Sequence, residues 1–156
     1  MKGCDGGFHN KAFEYIKNNG GLDTEESYPY EGRDGKCRFK ASDIGATDVG
    51  IRQIKDGDEN ALKHAVATVG PVSVAIDAEY LQHYGGGVYS EPACKNGWDD
   101  LDHGVLAVGY GTEGGKDYWL IKNSWGRDWG EEGYFRLARN ADNMCGVVSD
   151  ASYPLV

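Results

Sequence analysis

No run of apolar residues in this 156-residue chain approaches the ~18 needed to cross a bilayer; the longest, Val105–Tyr110, is broken by Gly109. Met1-Lys2-Gly3-Cys4 carries no apolar core of a signal peptide, so the sequence is expected to start at a mature or truncated boundary. Cys-x-x-Cys pairs are missing: Cys4, Cys37, Cys94 and Cys145 lie far apart, which argues against zinc ribbons and thioredoxin-type sites. No metal or other cofactor is therefore expected, and disulfides formed in an oxidising compartment are the favoured use of the cysteines. No Asn-x-Ser/Thr sequon accompanies them, so glycosylation lends a secretory reading no support. Basic residues are the scarce charge, 16 against 25 acidic ones, for a formal net of -9. An acidic surface without a basic, aromatic-interleaved stripe makes nucleic acid and anionic membranes poor partners.

What is present suits a globular domain, with 40% apolar and 26% charged residues. Glycine, with 24 residues, stands at about twice its usual share of ~7%, which implies many tight turns. After a glycine-rich start, Phe8, Ala12, Phe13, Tyr15 and Ile16 recur at helical spacing and stop at Asn18-Asn19-Gly20-Gly21. Residues 22–51 read as a long irregular segment pinned by its aromatics. A second helix is predicted over roughly 59–68, with acidic residues at its N-terminus. The run Asp56-Gly57-Asp58-Glu59-Asn60 resembles a calcium loop, but Ala61 and Ala67 stand where that loop needs glycine and glutamate. Strands are predicted over 72–76, 104–110, 117–122 and 133–139. Residues 109–114 match Gly-x-Gly-x-x-Gly, yet a strand follows them instead of a helix, so they read as a hairpin turn. Helices placed mainly before a sheet or barrel make the class α+β.

Of four histidines, His64 and His83 have nothing to distinguish them from surface residues. His103 opens an apolar strand directly after the acidic run Asp99-Asp100-Leu101-Asp102. Twenty residues later comes Asn123-Ser124-Trp125-Gly126, and two adjacent antiparallel strands would bring Asn123 beside His103. An asparagine carbonyl can fix an imidazole tautomer without adding charge. Trp125 would cover that hydrogen bond. A neutral orienting group suits an imidazolium whose partner is a thiolate.

Gly3-Cys4-Asp5-Gly6-Gly7, Tyr28-Pro29-Tyr30, Gly70-Pro71-Val72-Ser73-Val74-Ala75-Ile76, Asp102-His103-Gly104-Val105, Lys122-Asn123-Ser124-Trp125-Gly126 and Ser152-Tyr153-Pro154 occur in that order. In this the chain resembles papain-type cysteine proteases of the cathepsin L-like kind over essentially its whole length. The resemblance implies an N-terminally incomplete catalytic domain spanning 1–156. Residues 1–50 would be a remnant of the helical left domain, and 51–156 would be mostly the right domain, an antiparallel β-barrel. It implies catalytic roles for His103 and Asn123, with Trp125 in support. Substrate-binding roles fall to Gly6, Gly7, Phe8, His9, Ala75, Leu101, Asp102, Gly104 and Asp150, the glycines pairing with extended substrate and Asp102 offering its backbone. Cys94 would pair with Cys145, and Cys4 and Cys37 with cysteines upstream; in this sequence those two are expected to be free or paired with each other.

The family's nucleophile sits in Cys-Gly-Ser/Ala-Cys-Trp, ~130–150 residues before the histidine, a position that falls ahead of residue 1. The oxyanion-hole glutamine would lie further upstream still. The expected function is thus cysteine endopeptidase by family, with the isolated chain inactive. Expected partners are a peptide or protein substrate, the N-terminal segment carrying the nucleophilic cysteine, and cystatin-type or pro-segment inhibitors. Lysosomal or secreted, digestive location goes with this. Asp150 stands where the family commonly has a small residue, so it is expected either to pair with a basic substrate side chain or to point to solvent. The alternative function is a non-catalytic relative that binds peptides or inhibitors. A serine hydrolase using Ser124 lacks the Gly-x-Ser-x-Gly turn, and no spacing singles out a glycosidase carboxylate pair.

Overall fold

A computed structural model describes residues 3–156, which divide into two compact units: the chain up to Arg52 with Tyr153–Val156, and Gln53–Ser152. In the first unit, helix α1 (His9–Asn19) ends at Gly20, whose φ of 83° aims its N–H back at the Ile16 and Lys17 carbonyls. Only glycine takes that cap without steric cost, which is why the sequence stop is sharp. The stripe inferred for this helix is only partly covered: Ala12, Phe13 and Ile16 are half-buried, no residue of α1 is fully buried, and Phe8 and Tyr15 are more than half exposed. The stretch read as irregular contains a small ladder, β1 (Leu22–Asp23) antiparallel to β2 (Ile44–Ala46). Strands of two and three residues are too short to show a period, so they escaped the sequence. The aromatic pin is present: the Tyr28 hydroxyl accepts from the Arg38 N–H, and the Arg38 guanidinium lies 4.5 Å over the Tyr28 ring.

The second unit holds every buried apolar side chain among the described residues. Helix α2 (Glu59–Thr68) starts at Asp58, whose carboxylate accepts the Ala61 N–H at 2.9 Å, a cap worth ~1 kcal/mol. Its Leu62 and Ala65 face inward. Its strands are β4 (Val72–Ile76), β5 (Val88–Tyr89), β6 (His103–Glu113), β7 (Lys116–Lys122), β8 (Tyr134–Ala138) and the first two residues of β9 (Ala151–Leu155); the rest of β9 and most of β3 (Gly50–Gln53) belong to the first unit. Within the second unit they run in the order β9-β4-β6-β7-β8-β5. The pairs β9–β4, β4–β6, β6–β7 and β7–β8 are antiparallel and β5–β8 alone among these is parallel, so the sheet is mostly antiparallel, as expected. Along β4, Val72, Val74 and Ile76 alternate inward as their period of two requires.

The Gly-x-Gly-x-x-Gly match lies mostly inside β6, not in a turn. The turn is Gly114-Gly115, with φ of 56° and 78°, a two-residue hairpin that needs left-handed backbone at both positions.

At the far end of the sheet, Glu131 receives Nε and Nη2 of Arg136 and the Gly87 N–H. The Arg136 hydrogen bonds hold the Glu131 carboxyl below the usual carboxylate range. A depressed folded-state value stabilises the fold above the unfolded value and ceases to do so as pH falls. Glu131→Gln is therefore expected to lower the melting temperature at neutral pH, and the gap from the parent should close as pH drops below ~4. A gap that persists unchanged in acid would show that shape, and not charge, is at stake.

Candidate active site

The site is built where β6 begins and β7 ends. His103 is the first residue of β6, paired across β4 with Ile76, and Gly104 pairs with Ala75. On the other side, β6 and β7 are antiparallel with Leu106 opposite Lys122, which carries the residue after β7 back beside the start of β6. Asn123 is fixed there by its N–H to the Gly133 carbonyl at 2.9 Å. Gly133 has φ of 90°, and a Cβ on it would stand 3.1 Å from the Gly126 carbonyl oxygen, so this return needs glycine.

His103 Nε2 lies 2.8 Å from Asn123 Oδ1, and the Ser124 N–H donates to the same oxygen at 2.8 Å. Because a backbone N–H can only donate, the atom must be the amide oxygen, and the imidazole must carry its proton on Nε2 to reach it. Nδ1 then remains for exchange with a reacting group. Asn123 is 9% exposed, so little water competes for this bond. Trp125 stacks on the imidazole at 4.9 Å and 25°, and Trp129 meets Trp125 edge-on at 4.9 Å. Trp129 is held in turn by its Nε1–H on the Gln82 carbonyl and by Phe135 and Tyr84. Its part was missed in the sequence, although Trp125-x-x-x-Trp129 offered a clue.

A shallow cavity of about 360 Å³ beside the imidazole is lined by Ala78, Glu79, Gln82, Asp102, His103 and Trp125. The Asp102 N–H is committed to the Ile76 carbonyl and its Oδ1 accepts the Ala78 N–H, so of its backbone groups the carbonyl is the one left to offer. Asp150 is 5% exposed, which overturns the solvent-facing alternative. Its Oδ1 accepts from Gln53 Nε2 at 2.9 Å, and its backbone carbonyl from the Ala75 N–H. No sequence signal could link Gln53 to a residue 97 positions away. Leu101 lies against Gly146, where a Cβ would meet its Cδ2 at 2.6 Å. The second unit thus gathers His103, Asn123, Trp125, Ala75, Gly104, Asp102 and Asp150 around the edges of β4 and β6. In the first unit, Gly6 has φ of 90°, Gly7 and Phe8 are exposed, Phe8 caps α1, and His9 is its first residue.

Cys94 and Cys145 form a disulfide, as the resemblance implied. Cys4 and Cys37 are free and exposed. Partial desolvation, with the Asp34 hydrogen bond and charge adding to it, pushes the Cys4 thiol up. That is the opposite of what a nucleophilic thiolate needs. Among the described residues no helix is long and apolar enough to cross a membrane, and no cluster of three His, Cys, Asp or Glu side chains is placed to hold a metal.

Residues 1–155 match the model of the papain family cysteine protease. The chain is 62% identical to a cathepsin L-like peptidase of Aedes aegypti over 99% of its own length and 46% of that protein. It is 60% identical to cathepsin L of Sarcophaga peregrina, again over 99% of this chain and 46% of the relative. Among solved structures, a digestive procathepsin L 3 from the Tenebrio molitor larval midgut superposes with a TM-score of 0.93 at 49% identity, covering 98% of this chain and 50% of that one. Bromelain from Ananas comosus superposes with a TM-score of 0.88 at 38% identity, covering 98% of this chain and 71% of that one. The chain spans about half the length of the curated relatives it matches. With this α+β fold and these relatives, the chain belongs to the papain family of cysteine proteases, in its cathepsin L-like branch.

Proposed function

We propose that this chain supplies the imidazole half of a cysteine endopeptidase site. His103 acts as general base and as imidazolium partner of a thiolate, Asn123 orients it, and Trp125 shields their hydrogen bond. The observation that carries the reading is the Nε2 to Oδ1 contact of 2.8 Å beneath a stacked indole, with Nδ1 left for a proton. A thiolate attacking a peptide carbonyl needs that proton delivered to the leaving amine and later taken from water, and one imidazole does both. In the first unit Gly6 and Gly7 pair with the extended substrate backbone, and in the second Ala75, Leu101, Gly104 and Asp150 shape the pocket for the second residue before the cut. The 156 residues contain no Cys-Gly-Ser/Ala-Cys-Trp motif, so this polypeptide by itself should cut nothing. Protein substrates, a pro-segment partner and a lysosomal or digestive setting fit the names of the relatives, which include procathepsin L and digestive proteinases.

The test mixes the polypeptide with a synthetic N-terminal segment bearing the nucleophile motif. An epoxide that alkylates papain-type nucleophiles is added under mild reduction, and intact mass is read. Adduct on the segment, only in the mixture, is the expected result. An adduct on Cys4 or Cys37 that His103→Ala abolishes would move the centre elsewhere. No adduct in any mixture would favour the peptide-binding reading.

Asp150 gives a specificity prediction for the complete protease. Its carboxylate already holds one amide donor, so a substrate guanidinium would replace or join Gln53 in a charge-assisted contact worth ~1.5–3 kcal/mol. Asp150→Ala should lower the arginine-to-leucine ratio of kcat/KM in that pocket by ~10-fold or more. An unchanged ratio removes Asp150 from the pocket.

A further inference from the structure

The chain contains two Asn-Gly steps, Asn19-Gly20 and Asn96-Gly97, and the fold treats them oppositely. Asn-Gly is chemically labile because glycine, lacking Cβ, lets its backbone nitrogen approach the asparagine side-chain carbonyl. Ring closure requires that nitrogen to be free and the intervening peptide to turn.

At Asn19 neither condition holds. Asn19 is the last residue of α1, the Gly20 N–H is engaged by the Ile16 and Lys17 carbonyls, and the Asn19 amide donates to the Gly21 carbonyl at 2.9 Å. At Asn96 both residues are exposed, in the connection between β5 and the short helical turn Trp98–Asp100. Gly97 is extended, with φ of -71° and ψ of 147°, and among the described residues nothing accepts its N–H. The Asn96 amide is held only by a 3.2 Å bond to the Asp142 carbonyl.

From this contrast we infer that Asn96 is a site of spontaneous deamidation in the folded protein and that Asn19 is protected. The Gly97 nitrogen attacks Asn96 Cγ; the new N–C bond forms, the C–NH₂ bond breaks, and ammonia leaves carrying the amide proton. Water then opens the cyclic imide at either carbonyl, giving aspartate or isoaspartate. The sum is one amide plus one water giving one acid plus ammonia, with no oxidant or reductant.

The place matters because Asn96 is tied to the proposed pocket. Its backbone carbonyl accepts the Ser149 hydroxyl at 2.6 Å, and Ser149 precedes Asp150. Deamidation replaces a donor facing the Asp142 carbonyl with a carboxylate that repels it. Isoaspartate additionally lengthens the main chain by one methylene and turns the α-carbonyl that the Ser149 hydroxyl donates to into a free carboxylate.

The experiment incubates the purified protein carrying this chain at mildly alkaline pH, folded in one arm and unfolded in urea in the other. Both Asn-Gly peptides are then mapped for aspartate and isoaspartate in heavy-oxygen water. In the folded arm Asn96 should convert at least roughly tenfold faster than Asn19, since closure at Asn19 waits for the helix end to open. In urea the two rates should converge, and Asn96→Gln should abolish conversion at that position. Comparable rates in the folded arm, or an Asn96 rate suppressed by folding as strongly as that of Asn19, would overturn the inference.

Discussion

In the assembled protease, with the nucleophile-bearing segment present, His103→Ala should lower kcat/KM by ~10²–10⁴-fold and leave the thermal midpoint nearly unchanged. The side chain is half-buried at a strand end, so its removal opens little space, while every proton transfer of the proposed mechanism runs through it. Asn123→Ala should fall short of that loss, because the Trp125 stack still confines the ring even when Nε2 has no acceptor. Asn123→Asp should keep the geometry and place a negative charge beside the ring, favouring the imidazolium and moving the alkaline limb of the activity profile to higher pH. Fluorogenic peptide kinetics across pH, together with thermal melts of each variant, check all three. A His103→Ala enzyme within ~10-fold of the parent would sink the assignment.

Trp119→Ala should cost ~3–5 kcal/mol of stability. Its ring is fully buried in β7, meets Tyr110 edge-on, and donates its N–H to Glu59, whose carboxylate also receives the Asn140 and Asn143 N–H groups. Truncation would therefore leave both a cavity and a carboxylate short of one donor. Trp119→Phe separates the two effects, since it keeps most of the volume and removes only the N–H. By contrast, Tyr30→Ala or Phe8→Ala in the first unit should stay within ~0.5 kcal/mol, because both rings are exposed and their removal uncovers no core. Urea unfolding of the parent and the variants measures the difference. Equal costs on the two sides would mean that the cooperative core extends beyond the second unit.

The strands and helices with a clear period were legible. Residues 59–68 and 72–76 fall where spacing and caps placed them, because Leu62 and Ala65 on one helix face, and Val72, Val74 and Ile76 on one strand face, are buried by the same periodicity that identified them. Cys94 with Cys145, and the meeting of His103 with Asn123, were also foreseen, the first from the resemblance and the second from hairpin geometry. What escaped were contacts between residues distant in sequence and elements shorter than a period: the β1–β2 ladder, the parallel pairing of β5 with β8, and Gln53 on Asp150.

By itself, then, the sequence determined the family, the class and the meeting of His103 with Asn123, because local periodicity, turn glycines and ordered motifs are written along the chain. Only the tertiary structure decided which nitrogen of His103 stays free, that Trp129 braces the covering indole, that Asp150 is buried on an amide, and which of two Asn-Gly steps lies open. Each of those depends on groups that become neighbours through folding, and their proximity is set by sheet register and backbone hydrogen bonding rather than by any spacing in the chain.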